Sequence, residues 1–313
     1  MAIEIDYATT YGAWRRFRKS KRPSRAIDEF AYNLEANIER LADALTAGTY
    51  RHGDYQKVVL QEKKRRDLAV AGVPDRVVHR LLYDYLVNIY DKSFDPDVWS
   101  CRAGKGLHKC FARTQQLLGR YRDSFVWRAD ITKFFDSVDH GRLMACLARK
   151  LEPADPALWL CEEVIKSYHL NGAGIPIGNL TSQIFANIYL QEFDRFVRHQ
   201  VKPQAYLRYG DDFLLFVPTR RQAYLAHGAA TDFLRNDLKL RINPKNDVVV
   251  PARDGLKFLG HVVTDTFLAV DKHTTRLILE RVAPRNVSSY RALPLVAEAK
   301  DQLDWLLLEK FDI

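Results

Sequence analysis

Apolar residues recur at helical spacing early in the chain. Phe30, Leu34, Ile38 and Leu41 fall on one stripe, so residues 1–60 are expected to be mostly helical. The period then changes. The segment VVLQEKKRRDLAVAGV (58–73) predicts two short β-rich runs about a basic tip. Pro74-Asp75 opens a helix, with Asp75 expected as its N-cap and Val78, Leu81, Leu82, Tyr85, Leu86 and Ile89 as its apolar face. SFVWRAD (124–130) predicts a strand that delivers Asp130 at its carboxyl end. A helix is expected from about Asp139, with Leu143, Met144, Leu147 and Leu151 on one side. Another is expected over 180–198, marked by Leu180, Ile184, Ile188, Tyr189, Phe193, Phe196 and Val197. AYLRYGDDFLLFV (205–217) reads as two β-runs joined across Gly210-Asp211, where glycine at the first loop position suits a tight primed turn. A helix near 222–238, a strand near 246–250, a strand pair around 256–270 and a C-terminal helical stretch complete the pattern. Strands alternating with helices around an antiparallel hairpin predict an α+β sheet domain with helices on one face.

Composition narrows the partners. The 313 residues carry 48 Lys+Arg against 39 Asp+Glu, a formal net charge of +9, which suits a polyanion because each phosphate contact by a cationic side chain releases counterions. Cys101, Cys110, Cys146 and Cys161 form no CxxC pair and no Cys/His ligand pattern, so reduced thiols in a cytoplasmic protein are expected. The N-terminal sequence has no signal-peptide core, and no apolar run reaches the length of a membrane span.

Tyr209-Gly210-Asp211-Asp212 is the sharpest chemical signal, two adjacent acids at the tip of an apolar hairpin. The tetrapeptide alone serves equally well as a plain polar turn, since Gly-Asp is good turn chemistry. Asp130 at the end of a separate strand changes the balance, because carboxylates from two strands can share divalent cations. Hard oxygen ligands plus substrate phosphates suit Mg²⁺, and two such ions support an in-line phosphoryl transfer.

ADITKFFDSVDH (129–140), GIPIGNLTSQIFANIYL (174–190), YGDD (209–212), INPKNDV (242–248) and KFLGH (257–261) resemble, in order, the palm motifs of reverse transcriptases. The basic hairpin 62–70 and SCRAGKGLH (100–108) resemble their fingers motifs, so the likeness runs from about residue 45 to 265. Within the family, IGNLTSQ followed by FANIYL is similar to the enzymes of diversity-generating retroelements. Retroviral, retron and group II intron enzymes usually carry Gln where this chain has Ile177. The NAxxH and VTG sequences of retron enzymes are not found, and no room is expected for a maturase or RNase H domain.

The resemblance implies a right-hand polymerase fold with fingers, a ferredoxin-like palm and a short helical thumb. The expected divisions are 1–124 for an N-terminal helical region and fingers (mainly 55–124), 125–262 for the palm with interleaved fingers elements, and 263–313 for the thumb. It implies Asp130, Asp211 and Asp212 as catalytic residues, with Ile131 joining them around two Mg²⁺ ions for which Mn²⁺ can substitute. It further implies nucleotide contacts from Lys64, Arg66, Phe135, Ile177, Gln183 and Lys245. Phe135 falls where the family blocks a ribose 2′-hydroxyl, the alternative being a core aromatic. Lys245 falls where a lysine is proposed to protonate pyrophosphate. Arg102, Lys105, His108, Phe258, Leu259 and Gly260 are implied in primer and template binding. The expected activity is that of an RNA-directed DNA polymerase making adenine-mutagenic cDNA from a template-repeat RNA and deoxynucleoside triphosphates. A small basic oligomeric accessory protein is the implied partner, no membrane is expected, and the setting is the cytoplasm of a bacterium or phage host. A phage-defence reverse transcriptase has the same chemistry. A non-catalytic RNA-binding protein is disfavoured, because pure binding gains nothing from three clustered carboxylates that repel RNA.

Overall fold

The computed structural model describes residues 2–19, 21–61, 65–168, 171–283 and positions 290, 293, 300, 301 and 305, with backbone alone at 60, 61 and 65–67. In chain order the helices and strands begin α1 (Tyr7–Arg18), α2 (Arg25–Tyr32), α3 (Leu34–Thr46), β1 (Gln56–Gln61), β2 (Arg65–Val70), α4 (Val73–Tyr90) and α5 (Leu107–Arg120). There follow β3 (Phe125–Ala129), α6 (Phe134–Ser137), α7 (His140–Leu147), α8 (Pro156–Lys166) and α9 (Leu180–Phe196). The last are β4 (Ala205–Tyr209), β5 (Asp212–Val217), α10 (Arg220–Leu238), β6 (Val248–Pro251), β7 (Leu256–Phe258), β8 (His261–Val263), β9 (Leu268–Val270) and α11 (Lys272–Arg281). They divide between two compact units, one formed by Met1–Pro96, Ile131–Gln200 and Ala230–Ile242, the other by Asp97–Asp130, Val201–Ala229 and Asn243–Ile313.

The first unit is helical apart from the antiparallel hairpin β1–β2, whose register pairs Gln56 with Val70 and Gln61 with Arg65. The basic tip at 62–64 lies outside the described residues. Asp6 starts α1 with a capping box, its carboxylate accepting from the Thr9 amide at 2.7 Å. Helix α1 packs on α3 and α4, and α4 packs on α9. The apolar stripe expected for α4 is buried at Val78, Leu81, Leu82 and Leu86. Its start differs from expectation. Gly72 is the N-cap, Pro74 fits the first turn, and Asp75 lies inside the helix, where it accepts from the Tyr50 hydroxyl at 2.6 Å and the Gly53 amide at 3.2 Å. A partner 25 residues upstream took the carboxylate that local capping would have used.

Helix α4 also buries His79 against His52, their Nε2 atoms 3.0 Å apart. His52 Nδ1–H donates to the Gly53 carbonyl at 2.6 Å, so in the neutral pair His79 Nε2–H donates to His52 and His79 Nδ1 keeps a buried lone pair without a donor. Burial first, then His52 and Arg76, push the His79 imidazole down from 6.5 to about 3. The unfolded chain therefore takes a proton as pH falls through 6.5 while the folded chain does not, so this contribution is complete above pH 6.5 and is lost toward pH 3. The slope is roughly 1.4 kcal/mol per pH unit. Urea midpoints of wild type and His79→Leu between pH 5 and 7.5 check this: the wild-type midpoint should fall with acid more steeply than the variant's.

The second unit is built on a four-stranded antiparallel sheet of order β4-β5-β3-β6. Numbered along the chain that order is 4-1-3-2 read from β6, with β-α-β-β-α-β connectivity, the ferredoxin-like arrangement. One face packs Val126, Leu207, Leu214 and Phe216 against Phe111, Leu117 and Leu118 of α5. The other face presents Phe125 and Trp127 to Arg220 and His227 in the first half of α10. Helices thus cover both faces, not one, because central strands so rich in large apolar residues on alternate sides must be buried twice. The region around 256–270 is a three-stranded meander, β7-β8-β9, where a strand pair is expected from sequence. Three-residue strands are too short to show a period. Helix α11 follows, capped by Asp271, and most of the expected thumb beyond it lies outside the described residues.

Candidate active site

The hairpin β4–β5 turns through Gly210-Asp211. Gly210 sits at φ +64 while Asp211 keeps a negative φ, as in a type II′ turn. The turn is held from below: Arg208, fully buried, donates to the Gly210 carbonyl at 2.8 Å, and the Gly210 amide donates to Ser100 Oγ at 2.9 Å. Asp212 is the first residue of β5, and Ala129 pairs with Phe213, so Asp130 leaves β3 at the same end of the sheet. Three carboxylates converge there from neighbouring strands.

Their electrostatics follow. Asp212 is pushed from 3.8 to about 7 by burial, by Asp211 and by Asp130, against the opposing pull of the Arg128 guanidinium 3.4 Å away. Asp130 Oδ2 accepts from the Asn246 amide at 2.7 Å, while Oδ1 is buried with no partner. A buried carboxylate oxygen without a donor, next to like charge, is the donor set a divalent cation satisfies. Among the described residues no group of three or more His, Cys, Asp or Glu side chains is placed to hold a metal ion by itself. A hard cation held here would have to draw the rest of its shell from water and substrate phosphate. Ile131, next in sequence, has a buried apolar side chain and could offer only its backbone carbonyl.

The second unit also carries other expected contacts. Lys245 is exposed on the turn before β6, its amide donating to Asn243 Oδ1 at 3.1 Å. Arg102 donates to the Val98 carbonyl at 3.2 Å, Lys105 stacks its ammonium 4.0 Å over the Trp99 ring, and His108 is exposed in the first turn of α5. Leu259 (φ +47) and Gly260 (φ +77) form the β7–β8 turn. Phe258 does not reach out with them. Its ring is wholly buried in the core beneath α5, so in that motif only the turn can touch a ligand.

The first unit gathers a second set. Ile175 donates to the Phe135 carbonyl at 2.8 Å, and Gly174, at φ +98, donates to Val138 at 2.8 Å, so α6 and the 174–178 loop are joined. Phe135 and Ile177 are both half-buried on these segments. Gln183, exposed at the start of α9, lines a cavity of about 250 Å³ with Arg16, Lys21, Arg76 and Arg80. Asp84 offsets two of these cations, at 2.5 Å from Arg16 and 2.8 Å from Arg80. No local pattern marks these four, because they come from α1, α4 and the segment after α1, and only packing assembles them. Arg66 occupies β2 opposite Leu60, with its side chain outside the described residues, as is all of Lys64.

A ferredoxin-like sheet bearing acids at one end of its central strands is an arrangement that could hold divalent cations for phosphoryl transfer. Residues 55–263 match the family described as reverse transcriptase (RNA-dependent DNA polymerase), and the chain belongs to that family. Protein YkfC of Escherichia coli K12 is 26% identical over 274 residues, covering 73% of this chain and 71% of YkfC. The group II intron-encoded protein LtrA of Lactococcus lactis is 25% identical over 173 residues, covering 52% of this chain but 28% of LtrA. Among solved structures, apo telomerase from Candida tropicalis superposes with a TM-score of 0.55 at 11% identity, over 84% of this chain and 58% of that one. Telomerase from Candida albicans with a fragment of telomeric RNA gives 0.53 at 13%, over 85% and 56%. The fold is therefore the reverse-transcriptase polymerase fold, of α+β class. Among the described residues no helix is long and apolar enough to cross a membrane.

Proposed function

We propose that this chain copies RNA into DNA by nucleotidyl transfer at Asp130, Asp211 and Asp212. The observation that carries the reading is the Asp130 Oδ1 atom, buried and without a donor among mutually repelling carboxylates. Asp130 and Asp211 would hold two Mg²⁺ ions, for which Mn²⁺ can substitute, with Asp212 supporting and the Ile131 carbonyl adjacent. Bound there, the ions supply a polarised primer 3′-hydroxyl and charge neutralisation of the triphosphate. The protein's own groups do the rest. Lys64 and Arg66 hold triphosphate oxygens, with Lys245 beside the departing pyrophosphate. Phe135 closes off the sugar's 2′ side, and Ile177 and Gln183 border the nucleotide. Arg102, Lys105, His108 and the Leu259-Gly260 turn follow template and primer phosphates. The functional divisions proposed are a helical and fingers region over 1–124, a palm over 125–262 with interleaved fingers elements, and a thumb over 263–313.

The finer reading is a diversity-generating retroelement enzyme in a bacterial or phage-infected cytoplasm. It would make adenine-mutagenic cDNA from a template-repeat RNA with a small basic oligomeric partner. Ile177 supports it: an amide at that position can hydrogen-bond and fix the incoming nucleotide, whereas isoleucine can only pack. Loss of one such contact, roughly 0.5–1.5 kcal/mol, blunts discrimination about two- to tenfold. A second reading, from the similarity to the group II intron-encoded protein LtrA, is an intron-encoded enzyme without the adenine bias. Sequencing cDNA made from one defined RNA, with and without the partner, separates the two. Errors concentrated opposite adenine support the first, with Ile177→Gln lowering them about two- to tenfold. Uniformly low errors support the second, and absence of any cDNA defeats both.

A further inference from the structure

Asp130 is gripped by a single turn. The Asn243 amide donates to the Asp130 carbonyl at 2.9 Å, and Asn246 Nδ2 donates to Asp130 Oδ2 at 2.7 Å. The turn is itself rigid. Asn243 accepts twice within it, through Oδ1 from the Lys245 amide at 3.1 Å and through its carbonyl from the Asn246 amide at 3.0 Å. Its far end is pinned below the sheet. Asp247 accepts from Trp127 Nε1 at 2.7 Å with one oxygen and faces His227 Nε2 at 2.7 Å with the other, while the Trp127 and His227 rings meet edge-on at 5.1 Å. Trp127 belongs to β3, three residues before Asp130. The bonds thus close a ring: from β3 to Asp130, through Asn246 to Asp247, and through Trp127 back to β3.

We propose that Asn246 is a positioning residue that fixes the Asp130 carboxylate by holding Oδ2 and so setting where Oδ1 is presented to a cation, and that the Asp247–Trp127–His227 contacts anchor it. The inference rests on Asp130 being a ligand of a divalent cation. Without the Asn246 amide the carboxylate can rotate about χ2 and offer either oxygen, so a cation meets a ligand that must first be ordered. Groups that orient metal ligands typically contribute 10–100-fold in metal affinity or activity.

The test measures Mn²⁺ binding to the purified chain by electron paramagnetic resonance, alongside Mg²⁺ titrations of primer extension. Asn246→Ala should weaken Mn²⁺ binding and raise the half-saturating Mg²⁺ concentration by about 10–100-fold, with kcat recovering at high cation and primer–template affinity unchanged. Asn246→Ser, too short to span to Asp130 yet suited to a turn, should behave alike and covers the case in which the alanine chain does not fold. Asp247→Asn, which withdraws one acceptor from the anchor, should shift the same midpoints in the same direction by less. Wild-type midpoints in both Asn246 variants, with Asp130→Ala losing Mn²⁺ binding, would overturn the inference alone. Unchanged Mn²⁺ binding in Asp130→Ala would overturn the ligand assignment beneath it.

Discussion

Asp130→Ala and Asp211→Ala are each expected to cut deoxynucleotide incorporation by about a thousandfold or more, since cations stabilising both attacking and leaving oxygens contribute several kcal/mol. RNA affinity should stay level or rise slightly, because each substitution removes a negative charge from a surface that meets phosphates. The separation of the two effects is what matters. A carboxylate that served only the fold of the turn would lose RNA binding and thermal stability together with activity. Primer extension under single-turnover conditions, with RNA binding measured in the same buffer, checks it. Incorporation above a few per cent of wild type in either variant would remove that residue from the metal site.

Phe135→Ala should relax sugar selection. The ring leans edge-on against Phe134 at 5.3 Å and its backbone carbonyl is tied to Ile175, so it is held in place and stays half exposed. Phe134 is the one of the pair that fills the core. A rigid ring beneath the sugar rejects a 2′-hydroxyl by volume, and trimming it to a methyl should raise ribonucleotide over deoxynucleotide efficiency by about 10–100-fold, a 1–3 kcal/mol change. Incorporation of each nucleotide opposite one template base, as kcat/KM, gives the ratio. An unchanged ratio with a lowered melting temperature would make Phe135 a packing residue only.

Much of the scaffold was legible because its signals are local. The 205–217 hairpin was readable from two apolar runs around Gly-Asp, since both the alternation and the positive φ at Gly210 are properties of neighbouring residues. The α4 stripe was readable for the same reason. Where a distant partner competes, local signals mislead: the sequence marks Asp75 as a cap, yet it bonds Tyr50 inside the helix. Helix α9 appeared in sequence with a marked apolar face but is buried around most of its circumference, Asn187, Gln191 and Asp194 included. Polar residues with buried hydrogen-bond partners break the apolar pattern that sequence reading follows.

The sequence by itself determined the chemistry on offer: three aspartates at the ends of β-runs, a basic surplus and the ordered motifs of a polymerase family. Those depend on residue type and short spacing, which the chain carries with it. Only the tertiary structure decided how the chemistry is aimed. The hydrogen-bond partner of the Asp130 carboxylate lies 116 residues away at Asn246, and the tryptophan bonded to its neighbour Asp247 lies 120 residues from it. Contacts that close loops of this length leave no periodic trace, because the chain between them is free to take any pattern its own packing requires.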